Sequence, residues 1–492
     1  MGDSLFSDEL STHFTVSGRS LAEAIDVVRT DQEVTPPLYF VLAWATKGIG
    51  GVPEALRLVP LVAGIAAVPL TWALGAWTTG RRAGLVAAAL VALSPILILY
   101  STQARGYALA MTLALASTVT MLRALDRGGV GWWTAYAALS AATVWTHYTA
   151  VFVLAAQLGW ALWFHRDAWR SLLGANAAAA LAYLPWLPGF REDVGGLNQI
   201  ATVHPFSFNT LVTDMVESSI GFPGRSVDVL PGGIGVALIL CGLAVGAAAW
   251  LLGRARRAQG WPQASERVVL VVALALSTPA GLALASIVGD DVLFPRNLIV
   301  SLPGLAVAVA ALLTAARGPV RILAPALVLA GLAFGSLKML QVEHRSPDYQ
   351  AAAALIERGS PDGAVVLEIP FGATPTSALE VALSEPDQPR PTRNRVLRLG
   401  VPSLRDQIRG QAAGVAPTGI PAPPPAGPVR RAGRAARGGT LWFVTAGPRA
   451  DLPRRFREVR SAEFNGKLVV TVSELRDEDA RERDDSRSGS SP

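Results

Sequence analysis

The chain has 492 residues, of which 51% are hydrophobic and only 16% charged, against roughly 25% charged residues in an average soluble domain. Uncharged apolar runs of 18 residues or more recur, which excludes an ordinary water-soluble globule and specifies a polytopic membrane protein. The net charge of +6 resides on Arg scattered between apolar blocks and through the tail, without the aromatic-basic patch that a nucleic-acid binder needs.

Residues 1–20 contain no apolar h-region, so no cleavable signal peptide is expected before Asp8, and 1–35 read as an external acidic loop with interfacial helices. Ser7-Asp8-Glu9 allows two readings. Two acids in the first turn of a helix capped by Ser7 would complement its dipole, at about 0.3–1 kcal/mol each; the other reading is a catalytic carboxylate pair. Further on, Ser20-Leu21-Ala22-Glu23 has the form of a capping box, with Leu21, Ile25 and Val28 on one helical face, so a short helix lying on the interface is expected. Thr35 is placed to cap the next helix, with Pro36 at its first position.

Residues 36–340 are expected to form a transmembrane helix bundle. Apolar blocks fall at 36–50, 54–77, 82–99, 104–122, 131–146, 147–164, 171–189, 231–252, 268–288, 297–316 and 320–337, which suggests roughly 10–12 spans. Arg166 and Arg170, the cluster Arg254, Arg256 and Arg257, and the pair Arg317 and Arg321 mark cytoplasmic ends. This count puts 190–230 and the chain after 338 outside. The acidic loop reaches the same side only if 36–77 holds one crossing, with Gly48, Gly50, Gly51 and Pro53 supplying a break. Residues 190–230 are too polar to cross and read as an external loop whose charges, Asp193 among them, are solvated and without a role. Cys241, the sole cysteine, excludes internal disulfides and reads as a small core residue.

After residue 340 the pattern changes to that of a small external α/β domain, 341–475, with a helix over 348–358 and strands at 364–369, 440–445 and 467–472. A Pro-, Arg-, Gly- and Ala-rich stretch, 385–438, reads as a mobile linker inside it, and 476–492 as a disordered tail.

Three polar interruptions could carry chemistry. Gln103-Ala104-Arg105-Gly106-Tyr107 opens a span with a guanidinium and a phenol, fit to grip a lipid phosphate or, equally, to anchor a helix at the interface. Trp145-Thr146-His147-Tyr148 divides the apolar stretch 131–164. His147 either contacts a sugar or phosphate or is a satisfied histidine at a helix end. Pro295-Arg296-Asn297 offers a second cation, whereas Asp290-Asp291 before it reads as an ordinary loop pair because no further metal ligands stand nearby. With only Lys47, Lys338 and Lys467 in the chain, any phosphate clamp rests mainly on Arg. No GxSxG, Walker A loop or strand-linked GxGxxG supports hydrolase, ATP-driven or dinucleotide chemistry.

An acidic pair in the first loop, Pro36-Pro37-Leu38-Tyr39 opening a span, Ser94-Pro95 followed by Gln103-Ala104-Arg105-Gly106-Tyr107, Pro295-Arg296 before a late span, and a C-terminal domain form a recurring set. In this the chain resembles the polytopic GT-C glycosyltransferases, which include protein O-mannosyltransferases and the lipid A aminoarabinose transferase. The resemblance spans roughly residues 4–370. It implies a sugar donor on a polyprenyl phosphate and inverting transfer, outside the cell membrane, to a lipid, glycan or protein acceptor, with no metal or cofactor. Carried over, Asp8 would be the general base and Glu9 its partner; Arg105 and Tyr107 would lie at the donor phosphate with Arg296, and Gln103 and His147 are the further candidates for substrate contact. Members of the family carry a transmembrane helix before the acidic loop, so an upstream span is expected, and Thr35 stands where relatives often have a basic residue. The rival readings are a transporter or lipid flippase, disfavoured by largely uncharged span centres, and a non-catalytic scaffold displaying the C-terminal domain.

Overall fold

The computed structural model describes residues 4–6, 8–29, 33–196, 206–222, 226–255, 265–289, 293–315, 318–370, 376–385, 388, 390–398, 432, 436, 440–446, 456–466 and 469–477. Helices α1 (Asp8–Val16), α2 (Leu21–Val28), α3 (Leu38–Thr46), α4 (Glu54–Thr78), α5 (Arg81–Ala92) and α6 (Pro95–Ser101) lead into α7 (Tyr107–Arg127), α8 (Val130–Val144), α9 (Val151–Phe164) and α10 (Trp169–Tyr183). They are followed by α11 (Leu187–Gly196), α12 (Phe208–Ile220), α13 (Gly233–Ala255), α14 (Glu266–Val288), α15 (Leu302–Thr314) and α16 (Val320–Lys338). The chain closes with α17 (Tyr349–Gly359), β1 (Val365–Ile369), α18 (Ala378–Ala382), β2 (Arg395–Arg398), β3 (Leu441–Ala446), β4 (Phe456–Phe464) and β5 (Val470–Asp477). Two compact units result, one of Leu21–Thr46 with Arg57–Leu340, the other of Met1–Ser20, Lys47–Leu56 and Gln341–Pro492.

The larger unit is the helical one. Among the described residues six helices are long and apolar enough to cross a membrane, or up to eight if each of two bent pairs is one span. This is fewer than the apolar blocks suggested, because several blocks fold as short helices. The nine residues of α3 reach only about 13 Å at 1.5 Å per residue, against about 30 Å of hydrocarbon. Within 36–77, α4 alone is therefore long enough to span. Its first residue follows a non-helical stretch containing Gly48, Gly50, Gly51 and Pro53. The bent pairs turn by 63° between α5 and α6, where Ser94-Pro95 intervenes, and by 113° between α9 and the segment starting at Arg166.

Packing in this unit relies on small residues, as expected where lipid and side chain are equally apolar. A Cβ on Gly84 would lie 2.6 Å from the Trp72 carbonyl oxygen, and one on Gly331 would lie 2.6 Å from that of Gly235. These contacts draw α5 onto α4 and α16 onto α13. Met111, Met121, Tyr136, Leu172, Leu270 and Val307 lie in the shared core. Cys241, expected in a core, is exposed on α13, because a helix that is apolar all round needs no buried face to carry a small apolar residue.

The stretch 190–230 contains helices as well as loop. Ser207 caps α12 by accepting from the Thr210 N–H at 3.0 Å, and Leu211 packs with Leu282, Leu293 and Leu298. The expected cap at Thr35 differs too. Helix α3 begins at Leu38, whose N–H donates to the Trp145 carbonyl at 3.0 Å, and the Pro37 carbonyl accepts from Val41. Both prolines thus precede the helix.

In the smaller unit five strands form one sheet, ordered β2-β1-β3-β5-β4, parallel across β2-β1-β3 and antiparallel beyond. Leu367, Ile369, Leu441, Phe443, Phe456 and Leu475 make its core. On α17, Tyr349, Ala352, Ala353 and Ile356 are buried, and Asp348 caps its start by accepting from the Ala351 N–H at 2.9 Å. The stretch expected to be a linker supplies β2, which pairs with β1, and positions 399–431 lie outside the described residues. Of the expected disordered tail 476–492, residues 476 and 477 instead end β5, held by pairing with β4, and 478–492 lie outside the described residues. A buried cluster closes one end of β1. Ser377 and Glu380 form a reciprocal capping box on α18, the Ser377 hydroxyl donates to Glu368 at 2.6 Å, and Arg398 lies 3.8 Å from Glu380.

Helix α1 belongs to this unit, and its C-terminal carbonyls are engaged by cations, the favourable sign there. Lys47 Nζ donates to the Val16 and Arg19 carbonyls at 3.3 and 3.0 Å, and Arg19 reaches back to the Phe14 carbonyl.

Candidate functional site

Within the helical unit lies a cavity of about 730 Å³. Most of its wall is apolar, with Val144, Phe152, Leu154, Leu158 and Ala179 among the lining residues. The wall also contains Arg105, Tyr107, His147 and Arg296. These four were selected from three separate places in the sequence, and the fold brings them onto one cavity.

Arg105 is set by a tight turn in which its own N–H donates to the Gln103 carbonyl at 2.7 Å. Gly106 permits that turn to press inward. A Cβ there would lie 3.1 Å from the Tyr39 Cβ and 3.3 Å from the Thr146 methyl. Tyr107 opens α7 and packs edge-on against Tyr100 at 4.9 Å, with the His147 ring 5.4 Å away on another side. His147 follows the end of α8. Its Nδ1 is 2.9 Å from the Thr149 hydroxyl, and it feels the positive charge of Arg296 and Arg105. Arg296 lies over the Phe294 ring at 4.3 Å, in the first turn of the 3₁₀ segment Pro295–Ser301. That segment is tied down by the Ser218 hydroxyl donating to the Pro295 carbonyl.

Two buried acids, one paired with Arg105 and one in the cavity wall, escaped the sequence reading. Glu33 is 3% exposed, and Arg105 Nη1 donates to both its carboxylate oxygens, at 3.1 and 3.0 Å. Its sequence signal was slight, an acid two residues ahead of Thr35 in a polar run. Asp193, assigned to solvent, is 3% exposed and lines the cavity. It accepts a hydrogen bond from the Tyr148 hydroxyl, which itself accepts from Trp186 Nε1 at 3.0 Å.

Gln103 does not line the cavity, and among the described residues its buried side-chain oxygen has no hydrogen-bond partner. Asp8 and Glu9 belong to the smaller unit, in the first turn of α1. Glu9 is buried, and its carboxylate accepts from the Phe6 N–H at 3.3 Å, the contact expected of an acid at a helix start. Ser7, Asp290 and Asp291 lie outside the described residues. Among the described residues no three His, Cys, Asp or Glu side chains gather as metal ligands would.

A cavity walled by alkyl and aromatic groups, with guanidinium, phenol and imidazole in its lining, suits an amphiphile with an anionic head. Five N–H donors in a planar guanidinium match the geometry of phosphate oxygens.

Residues 34–188 match the family model described as dolichyl-phosphate-mannose-protein mannosyltransferase. No curated protein matches the chain. Among solved structures the chain is similar to ArnT from Cupriavidus metallidurans bound to undecaprenyl phosphate, at 13% identity and a TM-score of 0.42, over 96% of this chain and 94% of that one. The apo form of the same protein gives 13% identity and a TM-score of 0.41 over the same shares. The Archaeoglobus fulgidus oligosaccharyltransferase, in complex with Zn and sulfate, gives 14% identity and a TM-score of 0.41, over 73% of this chain and 52% of that one.

Proposed function

We propose that this multi-pass membrane protein is a GT-C-type glycosyltransferase that moves a sugar from a polyprenyl-phosphate donor to an extracytoplasmic lipid, glycan or protein acceptor. The observation that carries the reading is the cavity, whose apolar wall suits a prenyl chain and whose Arg105, Tyr107, His147 and Arg296 suit its phosphate. The family match over 34–188, which contains three of those four residues, supports a prenyl-phosphate sugar as donor.

In this reading the phosphate is the leaving group, and Arg105 and Arg296 stabilise the negative charge that develops on it as the glycosidic bond breaks. The acceptor hydroxyl attacks the anomeric carbon from the opposite face, inverting it, and must lose its proton as it does so. Asp8 is assigned as the general base and Glu9 as its partner, an assignment that rests on the family resemblance and on this proton. The extracytoplasmic side follows from the Arg-rich ends assigned to the cytoplasm.

The test is transfer from a polyprenyl-phosphate sugar by the detergent-solubilised full chain, with any upstream span included. Arg105→Lys keeps the charge and loses the planar fork, so the Michaelis constant for donor should rise about tenfold. Asp8→Asn should lower turnover by about 10²–10⁴-fold with donor affinity nearly intact. Full turnover in Asp8→Asn overturns the base assignment, and an unchanged Michaelis constant in Arg105→Lys makes that residue an anchor only. Binding of neither polyprenyl phosphate nor its sugar derivative by the wild-type chain overturns the whole reading.

A further inference from the structure

The donor and the lipid left after transfer differ in charge. A polyprenyl-phosphate sugar is a phosphodiester with a single negative charge. When its anomeric C–O bond breaks, the electron pair stays on the phosphate oxygen and the acceptor's proton goes to the base. The lipid that remains is a phosphate monoester with about 1.5–2 negative charges at pH 7. Cations attract it more strongly than they attract the donor, in proportion to that charge. A site made of Arg105 and Arg296 alone would thus hold its product more tightly than its substrate.

Glu33 changes that balance. Arg105 Nη1 donates to both of its carboxylate oxygens, at 3.1 and 3.0 Å, and the two side chains are only 9% and 3% exposed, so solvent ions screen the pair poorly. Glu33 is not itself a lining residue, but Val34 and Thr35, the next two in the chain, line the cavity together with Arg105. Arg296 acts on the same part of the wall, since His147 feels the charge of both guanidinium groups. An anion belonging to the protein therefore stands one guanidinium away from the place where the lipid phosphate is received.

A carboxylate so placed repels a phosphate in proportion to the charge on that phosphate. It weakens the hold on the monoester more than the hold on the diester. A neutral side chain could steady the Arg105 fork by hydrogen bonding, but it would not separate the two lipids by charge.

We propose that Glu33 sets the charge balance of the phosphate site so that the singly charged donor is held in preference to the more highly charged lipid phosphate product, which speeds departure of the product. The proposal rests on the glycosyltransferase reading above. In it Glu33 determines specificity by acting through Arg105, without touching the substrate.

The experiment measures equilibrium binding of two sugar-free probes to the detergent-solubilised full chain. One is polyprenyl phosphate, and the other is its methyl ester, a diester with one charge. The measurement is made at about pH 8, well above the second phosphate pKa of about 6. The wild type should bind the methyl ester at least as tightly as the monoester. Glu33→Gln should tighten binding of the monoester by about 10–100-fold and that of the methyl ester by a smaller factor, so that the order of preference reverses. In transfer assays the inhibition constant of added polyprenyl phosphate should fall by the same factor as its dissociation constant. Glu33→Asp, which keeps the charge, should retain the wild-type order, and with the wild type it decides the matter if Glu33→Gln does not fold.

Tighter binding of the monoester than of the methyl ester by the wild type overturns this inference and leaves the glycosyltransferase reading standing. Reversal of the order in Glu33→Asp does the same. A change by one common factor for both probes in Glu33→Gln makes Glu33 a strut for Arg105 and overturns the proposal as well. Failure of the wild type to bind either probe overturns both.

Discussion

Arg105 in the helical unit and Glu368 in the sheet-bearing unit are both removed from water, and they are neutralised by different means. Arg105 has a direct ionic partner, Glu33, at 3.0 Å, with little of either side chain exposed. Glu368 accepts from a neutral hydroxyl, Ser377, while the cation of its cluster, Arg398, lies against Glu380. Burial, with Glu380 adding a like charge, pushes the Glu368 pKa from 4.5 up to about 7, although Ser377 and Arg398 pull the other way. One buried charge is therefore compensated by a countercharge and the other by a proton. The second arrangement makes stability depend on pH.

The sharpest way to break this comparison is to remove the countercharge. Glu33→Gln removes the carboxylate that faces the buried Arg105 guanidinium and should cost about 3–5 kcal/mol of stability, read from unfolding of the detergent-solubilised chain. Replacing both residues by apolar ones should recover most of that loss, since no charge is then stranded. An unchanged stability in Glu33→Gln would mean that water or another group already compensates Arg105.

Protonation supplies the second test. Because the folded pKa of Glu368 lies above its unfolded value, the folded state binds more protons between the two. Its contribution is complete below pH 4.5, falls as pH rises toward about 7, and levels off above. The loss should be on the order of 3 kcal/mol in the sheet-bearing unit, and Glu368→Gln should flatten that part of the pH profile. A slope that persists in the variant assigns the titration to another group.

A third pair supplies the lower bound. Arg460 donates to Glu474 at 2.6 Å across β4 and β5, but its side chain is half exposed. Arg460→Gln should cost less than about 1 kcal/mol, because water competes for the half-exposed guanidinium. A loss as large as that of Glu33→Gln would show that burial does not separate these pairs.

Sequence reasoning reached the parts of the molecule in which one residue type speaks for its surroundings. Apolar blocks became helices because a lipid-facing segment needs apolar side chains on every side. Similarly, α17, β1 and β3 were legible because their buried residues recur with helical or continuous apolar patterning. The strands that were missed, β2 and β4, are the two edges of the sheet. The largely exposed sequence Phe456–Phe464, FREVRSAEF, has little hydrophobic signal because only pairing with β5 makes it a strand.

The same distinction governs the cavity. Arg105, Tyr107, His147 and Arg296 interrupt apolar sequence and so attract notice. Glu33 and Asp193 sit in polar stretches, where an acid ordinarily faces water, and what buries them is remote in the chain. Glu33 pairs with a residue 72 positions away and Asp193 with one 45 positions away. Hydropathy is blind to that kind of closure.

The crowding at Gly106 has a consequence for the side chain before it. Segments around residues 39, 106 and 146 meet there with less room than one methyl group requires. The atoms that crowd it, the Tyr39 Cβ and the Thr146 methyl, sit next to the backbone and cannot rotate aside as the end of a long side chain would. The turn that carries Arg105 is thus wedged between two segments remote in sequence, and the aim of its guanidinium is inherited from their backbones, so a shift of either segment is felt as a change of aim.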